Sequence, residues 1–432
     1  MSTSDPSGRS LPAAVADLRL PPTFVAEHAI RVLSYQGALT PGELAALMQV
    51  PDAIALELLE SLRAAGVVQL DTGQANFDRL GRIRLSEAGH VRVGVARQRT
   101  WYAGPLPVSL ADFAGRADAA PRANSPEKSF RAELAALDIA GETADAIGQA
   151  IAAGATLAVD GVAYDEQPAV AAALGRSLVG ALTLPYALFA AGAVIRIFDP
   201  QHHHRIDDRP HADDDLDVLR SNRDATQWAT VTRPAVALTG GILASDVVPA
   251  YDEDARFYVA PSPLMAMGGL LSITDAATNP RALIDLARLW LIPGRHHTGI
   301  VLLRSGERIE VAWRTATALI GVAPEALPEP ARQAVAYSVD VAPIAGEPLV
   351  RFLARRLDEP SFPAHVIDGL ASRLEAQRLS SRSAAAAACA YLRDRAAYEG
   401  EVFSASDVVL DAAIAFASRG NPGVAGGALR AA

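Results

Sequence analysis

The stretch 155-ATLAVDGVAYDEQPAVAAALGR-176 decides how the whole chain is read. ATLAVDG is an apolar strand that stops at Gly161. QPAVAAALGRSLVG, from Gln167, is a helix. Asp165 and Glu166 precede Pro168 in the first turn, which is a well-formed helix start: acids complement the positive end of the helix dipole, and proline there sacrifices no helical hydrogen bond. Strand, turn and helix together are the unit of an α/β domain.

The alternation continues in both directions. Helices run through AELAALDI and ETADAIGQAIAAG before the strand. After it come TLPYALFAAGAVIRIFD, PAVALTGGIL, the run GGLLSITD at 268–275, the helix RALIDLARLWL, and the strands GIVLLRSG, RIEVAWRTATALIGVA and AVAYSVDVA. The pattern predicts an α/β core over 132–345. From 346 to 420 the chain turns helical, in EPLVRFLARRL, FPAHVIDGLASRLEAQR, SRSAAAAACAYLRDRAAYEG and SASDVVLDAAIAFASRG, and 421–432 reads as a flexible tail.

Upstream, 1–20 reads as a tail and 100–131, rich in proline, alanine and small polar residues, as a linker. Between them, PTFVAEHAIRVLSYQG is a helix ended by Gly37. Thr40 then caps TPGELAALMQ, with Pro41 at the first position and Glu43 completing a capping box. PDAIALELLESLRAAG is a third helix, and VVQL and IRLSEAGHVRV read as two strands of a wing. Three helices and a wing predict a winged-helix domain over 21–99. Its DNA-reading helix would be the third, which carries Asp52, Glu57 and Glu60 against Arg63. Residues 1–100 hold ten arginines and ten acids, whereas duplex-reading surfaces are basic, so the pattern favours protein contacts or domain packing over DNA.

Composition excludes several chemistries. The chain has 432 residues, a formal net charge of −10, one cysteine, and one lysine, Lys128, beside 38 arginines. A phosphate-cradling G-x-x-x-x-G-K-[ST] loop needs a lysine, and Lys128 stands in SPEKSF with no glycine near it. Any Schiff-base mechanism would have to use Lys128. The negative charge gives no general attraction for nucleic acid or anionic membrane. Cys389 lies in an alanine run and reads as a small buried apolar residue. A single cysteine suits a reducing cytoplasm, and the polar start MSTSDPSGRS has no hydrophobic signal core. The apolar run 178–195 is interrupted by Pro185, Tyr186 and two glycines and reads as core strand and turn, with no membrane insertion.

Long phrases in collinear order carry a family resemblance: YAGPLPVSL at 102–110, LPYALFAAGAVIRIFDP at 184–200, TRPAVALTGGIL at 232–243, DEDARFYVAPSPLMAMGGLLSITDA at 252–276, LARLWLIPGRHHTGIVLLRSGERIEV at 286–311 and RDRAAYEGEVFSASDVVLDAAIAFA at 393–417. On these the chain resembles bacterial AAA+ ATPases with an N-terminal winged helix and a MoxR-like core, described as predicted ATPases with chaperone activity. The resemblance implies a P-loop-type α/β core and a C-terminal helical lid.

It also shows where the ATPase motifs would be, and each has decayed. In the phosphate loop Gly161 is the only glycine left, Gln167 stands at the lysine position, and Pro168 replaces the hydroxyl residue that meets Mg²⁺. Asp165 and Glu166 would repel a polyphosphate there. Thr274 replaces the metal-holding acid and Asp275 keeps the second acid position. Gly321, Val322 and Ala323 stand where a polar sensor is expected, and Arg332 is shifted from the paired-arginine position. The pocket is thus expected to be degenerate, with no nucleotide cofactor.

Elsewhere, HHHRIDDRPHADDDLD at 202–217 places His202, His203, His204 and His211 among Asp207, Asp208 and Asp213 to Asp215, a possible transition-metal cluster whose spacing matches no structural zinc pattern. It reads mainly as a solvated acidic loop, and His296 and His297 as turn residues. Gly240–Gly241 and Gly268–Gly269 read as turn glycines. The sequence therefore predicts a catalytically inactive AAA+-like scaffold or assembly subunit, partnered by itself or by an active relative. Two alternatives stay open: a winged-helix DNA-binding regulator, and a metal-dependent activity at 202–217.

Overall fold

The computed structural model describes residues 12–71, 81–117, 128–139, 141–206, 226–358, 362–400 and 403–419. It is a mixed α/β protein built on a five-stranded, all-parallel sheet. The sheet runs in the order β16 (Tyr337–Asp340), β4 (Thr156–Asp160), β15 (Ala316–Ile320), β12 (Leu270–Thr274), β9 (Ala235–Leu238). β12 and β15 are buried along their whole length, which explains why they read as unbroken apolar runs: a parallel strand covered on both faces has no solvent side.

Helices α6 (Lys128–Ala136), α7 (Glu142–Ala152) and α8 (Gln167–Arg176) cover one face, where Ile147, Val170 and Leu174 pack on Leu157, Val159 and Ile320. α9 (Pro280–Leu286), its continuation through Leu291, and α10 (Glu329–Ala334) cover the other, around Trp290, Ile273 and Leu319. This second core extends to a mixed sheet ordered β10 (Ala250–Asp252), β11 (Phe257–Val259), β7 (Ala193–Arg196), β6 (Ala187–Ala190), β3 (Val108–Ser109). The antiparallel pairs β5 (Ala181–Pro185) with β8 (Trp228–Thr232), and β13 (Thr298–Leu302) with β14 (Arg308–Ala312), complete it.

The C-terminal unit is four helices: α11 (Glu347–Arg356), α12 (Ala364–Ala376), α13 (Arg382–Glu399) and α14 (Asp407–Arg419). Cys389 is buried among them, and burial pushes its thiol up to about 12, so it is an inert apolar filler. Among the described residues, no helix is long and apolar enough to cross a membrane.

The N-terminal unit holds α1 (Pro22–Gln36), α2 (Pro41–Met48), α3 (Asp52–Ala64), and β1 (Val68–Leu70) paired antiparallel to β2 (Ile83–Leu85). The Thr40–Glu43 capping box forms as read. Three expectations are corrected. Residues 12–20 are not free: a turn at Val15–Leu18 buries Leu18 and Leu20 in the N-terminal core, and the Val15 N–H donates to Glu57 on α3. The second strand ends at Leu85, because Ser86 caps a helix, α4 (Glu87–Arg99), by accepting from the Gly89 N–H. And 100–131 is not simply a linker, since it contains β3, α5 (Leu110–Ala117) and the start of α6.

Residues 100–106 are also pinned. Arg31, fully buried, donates to the carbonyls of Tyr102 and Ala96 and to His28 Nδ1. With Nδ1 accepting, His28 Nε2 carries the proton and donates to Gly104 O at 2.8 Å. Burial, reinforced by Arg31⁺, lowers the His28 pKa to about 3, so the ring is neutral. Ala187 and Val194 of the mixed sheet join the N-terminal core, which docks the unit on the rest of the molecule.

Candidate functional site at the carboxyl edge of the parallel sheet

The chain leaves β4 through α8 on one face and reaches β9 at the far edge. It leaves β15 through α10 on the opposite face and crosses β4 to reach β16. Neighbouring strands thus send their connections to opposite faces, which creates the crevice outside the carboxyl ends where open α/β sheets bind ligands. Gly161, Asp165, Glu166, Gln167, Pro168, Thr274, Asp275 and Gly321 all gather at this edge, from positions up to 160 residues apart.

Side chains of the protein fill the crevice. Gln167, the first residue of α8, is 4% exposed, and its Oε1 accepts from the Asp275 N–H at 2.6 Å. Its amide lies against Gly321, where a Cβ would come within 2.0 Å of Nε2, and Gly321 also has φ +78°. Glycine is therefore required there both by space and by backbone conformation. Asp275 takes a left-handed φ of 52°. The Thr274 hydroxyl is used between strands, accepting from the Gly240 N–H at 3.0 Å. The loop 164–166 closes as a tight turn, in which the Glu166 and Gln167 N–H groups both donate to Ala163 O. Gly161 has φ +77°, and a Cβ there would meet Val341 O at 2.4 Å, so the loop is pressed against the end of β16.

The two acids before α8 meet two arginines from the C-terminal unit. Arg356 of α11 binds Asp165 bidentately, Nε to Oδ2 at 2.9 Å and Nη2 to Oδ1 at 3.0 Å. Arg382, the first residue of α13 and fully buried, places Nη1 3.1 Å from Glu166 Oε2, and its Nη2 donates to Asp138 O at 2.8 Å. The Phe352 ring lies 3.6 Å from Arg356 and 5.8 Å from Arg382. At the rim, Arg351 and Arg355 both bind the Asp138 carboxylate. Burial alone would raise the Asp138 pKa, but the hydrogen bonds from Arg355 and Arg351 outweigh it and hold the carboxyl below its ordinary value.

The arginines were not singled out from the sequence. The available signal was the adjacent Arg355–Arg356 pair closing an amphipathic helix. Arg332 lies outside this cluster, exposed and ion-paired to Glu329 one turn earlier.

The histidine stretch behaves differently from a metal cluster. His203 points inward. Its Nδ1 accepts from the Asp199 N–H at 2.9 Å and its Nε2 donates to Met265 O at 2.8 Å, so both ring nitrogens are engaged. Burial lowers its pKa. His202 is half-buried and His204 exposed, while His211 and Asp207 to Asp215 lie outside the described residues. Among the described residues no group of three metal-ligating side chains converges.

No protein-family model matches the chain, and no curated protein matches it.

Proposed function

We propose that this chain is a degenerate AAA+-like pseudo-ATPase that acts as a scaffold or assembly subunit, with copies of itself or with a related active subunit. The observation that carries the reading is the filled crevice. The loop that resembles a phosphate loop sits at the switch point of a parallel sheet, where a nucleotide would be held. Yet Gln167 bonds to Asp275 N–H instead of offering a cation, and Asp165 and Glu166 occupy the α8 N-terminus with their own negative charge. Pro168 supplies neither a hydroxyl nor an N–H, and Thr274 supplies no carboxylate for a metal. The four-helix unit takes the place of the lid.

The N-terminal unit fits the winged-helix reading in α1–α3 and β1–β2. Its surface favours protein contacts: Tyr35, Val91, Val95 and Trp101 are exposed, and Arg97 lies between the Tyr35 and Trp101 rings. The outward face of α3 carries Glu57 and Glu60, and Glu57 is engaged by Val15. That is a poor face for a DNA duplex.

Calorimetric titration with ATP and Mg²⁺ tests the reading. No binding is expected. Micromolar binding with turnover that Asp275→Asn abolishes would overturn it. Mass photometry, alone and with an intact relative, is expected to show an oligomer that forms without nucleotide.

A further inference from the structure

We propose that α4 is a self-association surface: two copies of the chain pair through antiparallel α4 helices that cross at Gly94. The pairing rests on reading the N-terminal unit as a protein-contact module, takes a second copy of this chain as its partner, and makes no use of the nucleotide crevice.

Gly94 has no reason to be glycine within the chain. It stands in the interior of a 13-residue helix, where glycine is the least favourable residue short of proline. Gly89 and Gly175, also helical, are required by close packing: a Cβ at Gly89 would meet Val67 O at 2.2 Å, and one at Gly175 the Ala235 Cβ at 2.9 Å. A Cβ at Gly94 would meet nothing within 4 Å, and Gly94 is exposed with an ordinary, negative φ. Neither space nor backbone conformation calls for it. What glycine supplies there is a flat spot on the outer face of α4, over which a second helix comes closer than the usual separation of about 8–10 Å between axes.

The side chains around that spot suit a helix better than water. Val91 and Val95 are 72% and 53% exposed, while Val93 turns the other way into the N-terminal core. At about 100° per residue, Glu87, Val91, Gly94, Val95 and Gln98 share one stripe. Its charge is uneven along the helix. Glu87 stands exposed in the first turn, and Arg97 and Arg99 stand in the last. Arg97 lies between the exposed Tyr35 and Trp101 rings, and its Nε has no hydrogen-bond partner among the described residues.

A two-fold axis through Gly94 reverses the stripe onto itself. Glu87 of one copy then comes opposite Trp101 of the other, beside Arg97, and the same contact repeats at the far end. The valines meet around the paired glycines in the middle. A parallel pair would instead set Glu87 against Glu87 and arginine against arginine. The face is therefore complementary to its own antiparallel copy, and that selects a second copy as the occupant.

The experiment uses the full-length chain. Sedimentation equilibrium at up to about 200 µM populates an interface at the small end of the specific range. Wild type is expected to sediment as a dimer or an even multiple of one, and Gly94→Leu and Val95→Glu at half that mass. Leucine is a strong helix former and its position is open, so Gly94→Leu should melt no lower than wild type, which separates lost pairing from lost folding. A second measurement uses thiols. Cys389 is buried and its thiol is pushed up to about 12, so a cysteine introduced at the surface is the reactive one. Under copper-catalysed air oxidation, Gly94→Cys should form a disulfide-linked dimer at least about tenfold faster than Ala88→Cys, because paired copies of residue 88 lie about 18 Å apart along the helices.

A wild type that stays monomeric, an assembly that both variants leave intact, or equal crosslinking at 88 and 94 would overturn the pairing. An assembly that survives both variants would leave the scaffold reading standing on other surfaces. ATP binding by the wild type would count against the pseudo-ATPase reading and leave the α4 pairing untouched.

Discussion

Arg31 and Arg382 are both buried guanidinium groups, and the protein accommodates them in opposite ways. Arg31, in α1, meets only neutral acceptors: two carbonyls and a neutral imidazole. Burial lowers its pKa to about 10 although Glu27 works in the other direction. Arg382, at the start of α13, meets the Glu166 carboxylate and a carbonyl. The first arrangement is a staple: it fixes one conformation of residues 100–106 through hydrogen bonds to neutral acceptors. The second is a balanced pair across a seam between units, where each charge is tolerable only because the other is present. A staple fails when its donors are removed, whereas a balanced pair fails when either charge is.

That difference sets the largest expected effect. Glu166→Gln keeps the shape but leaves Arg382 buried without its carboxylate, and one partner removed from a buried pair costs about 3–5 kcal/mol. The loss should appear in the first urea unfolding transition. A cost under about 1 kcal/mol would mean that the site is wet, and that the two arginines differ less than their burial indicates. Arg31→Met should follow at about 2–3 kcal/mol, because it takes the Arg31 donors from the Tyr102 carbonyl and from His28 Nδ1. Its effect should be insensitive to salt, since no ion pair is lost.

Neither arrangement was visible in the sequence, although most of the framework around them was. β4, α8, β12, β15 and the four C-terminal helices are announced by local apolar periodicity, which burial then enforces. α4 departs from the strand pattern of its sequence for a local reason. Val91, Val93 and Val95 alternate like a strand, but only Val93 is buried, and the Ser86 cap starts a helix whose neighbours settle the matter. At the crevice, Gln167, Pro168 and Thr274 stand out in the sequence only through the resemblance, which implies other residues at those positions. Arg356 and Arg382 do not stand out. They lie 191 and 216 positions from the acids they bind, among 38 arginines with nothing local to mark them.

The two regions should also part company with pH. The folded-state pKa of His28 is about 3, depressed from 6.5. Above pH 6.5 the ring is neutral in both folded and unfolded chains and nothing is lost. As pH falls below 6.5 the unfolded chain binds a proton that the native chain refuses, so stability declines by up to about 1.4 kcal/mol per pH unit until about pH 3. Between pH 6.5 and 5 this amounts to about 2 kcal/mol. His28→Gln, which can still donate to Gly104 O and accept from Arg31, should flatten that part of the slope in urea unfolding. His203 has the same sign of shift, so the wild-type-minus-variant difference is the informative quantity. Asp138 at the seam, with a depressed carboxyl, contributes stability that is present above about 3.8 and lost only as pH falls through its lower folded value. Acid should therefore loosen the staple several pH units before it touches the rim of the clamp.

The smallest effect is expected at that rim. Arg355 is 44% exposed while its partner Asp138 is 9% exposed, and Arg351 shares the same carboxylate. Removing one of two cations from a solvent-facing pair leaves the carboxylate partnered and leaves no buried charge alone. Arg355→Ala should therefore cost less than about 1 kcal/mol in low salt, and the difference from wild type should shrink toward zero near 1 M NaCl, where the screening length is about 3 Å. Glu166→Gln measured in the same series should keep most of its cost, because salt does not reach a carboxylate that is 8% exposed and paired to a fully buried guanidinium. If the two variants lost their effects in parallel with salt, the inner pair would be as solvent-accessible as the outer one, and the seam would be a surface ion-pair network with no buried latch inside it.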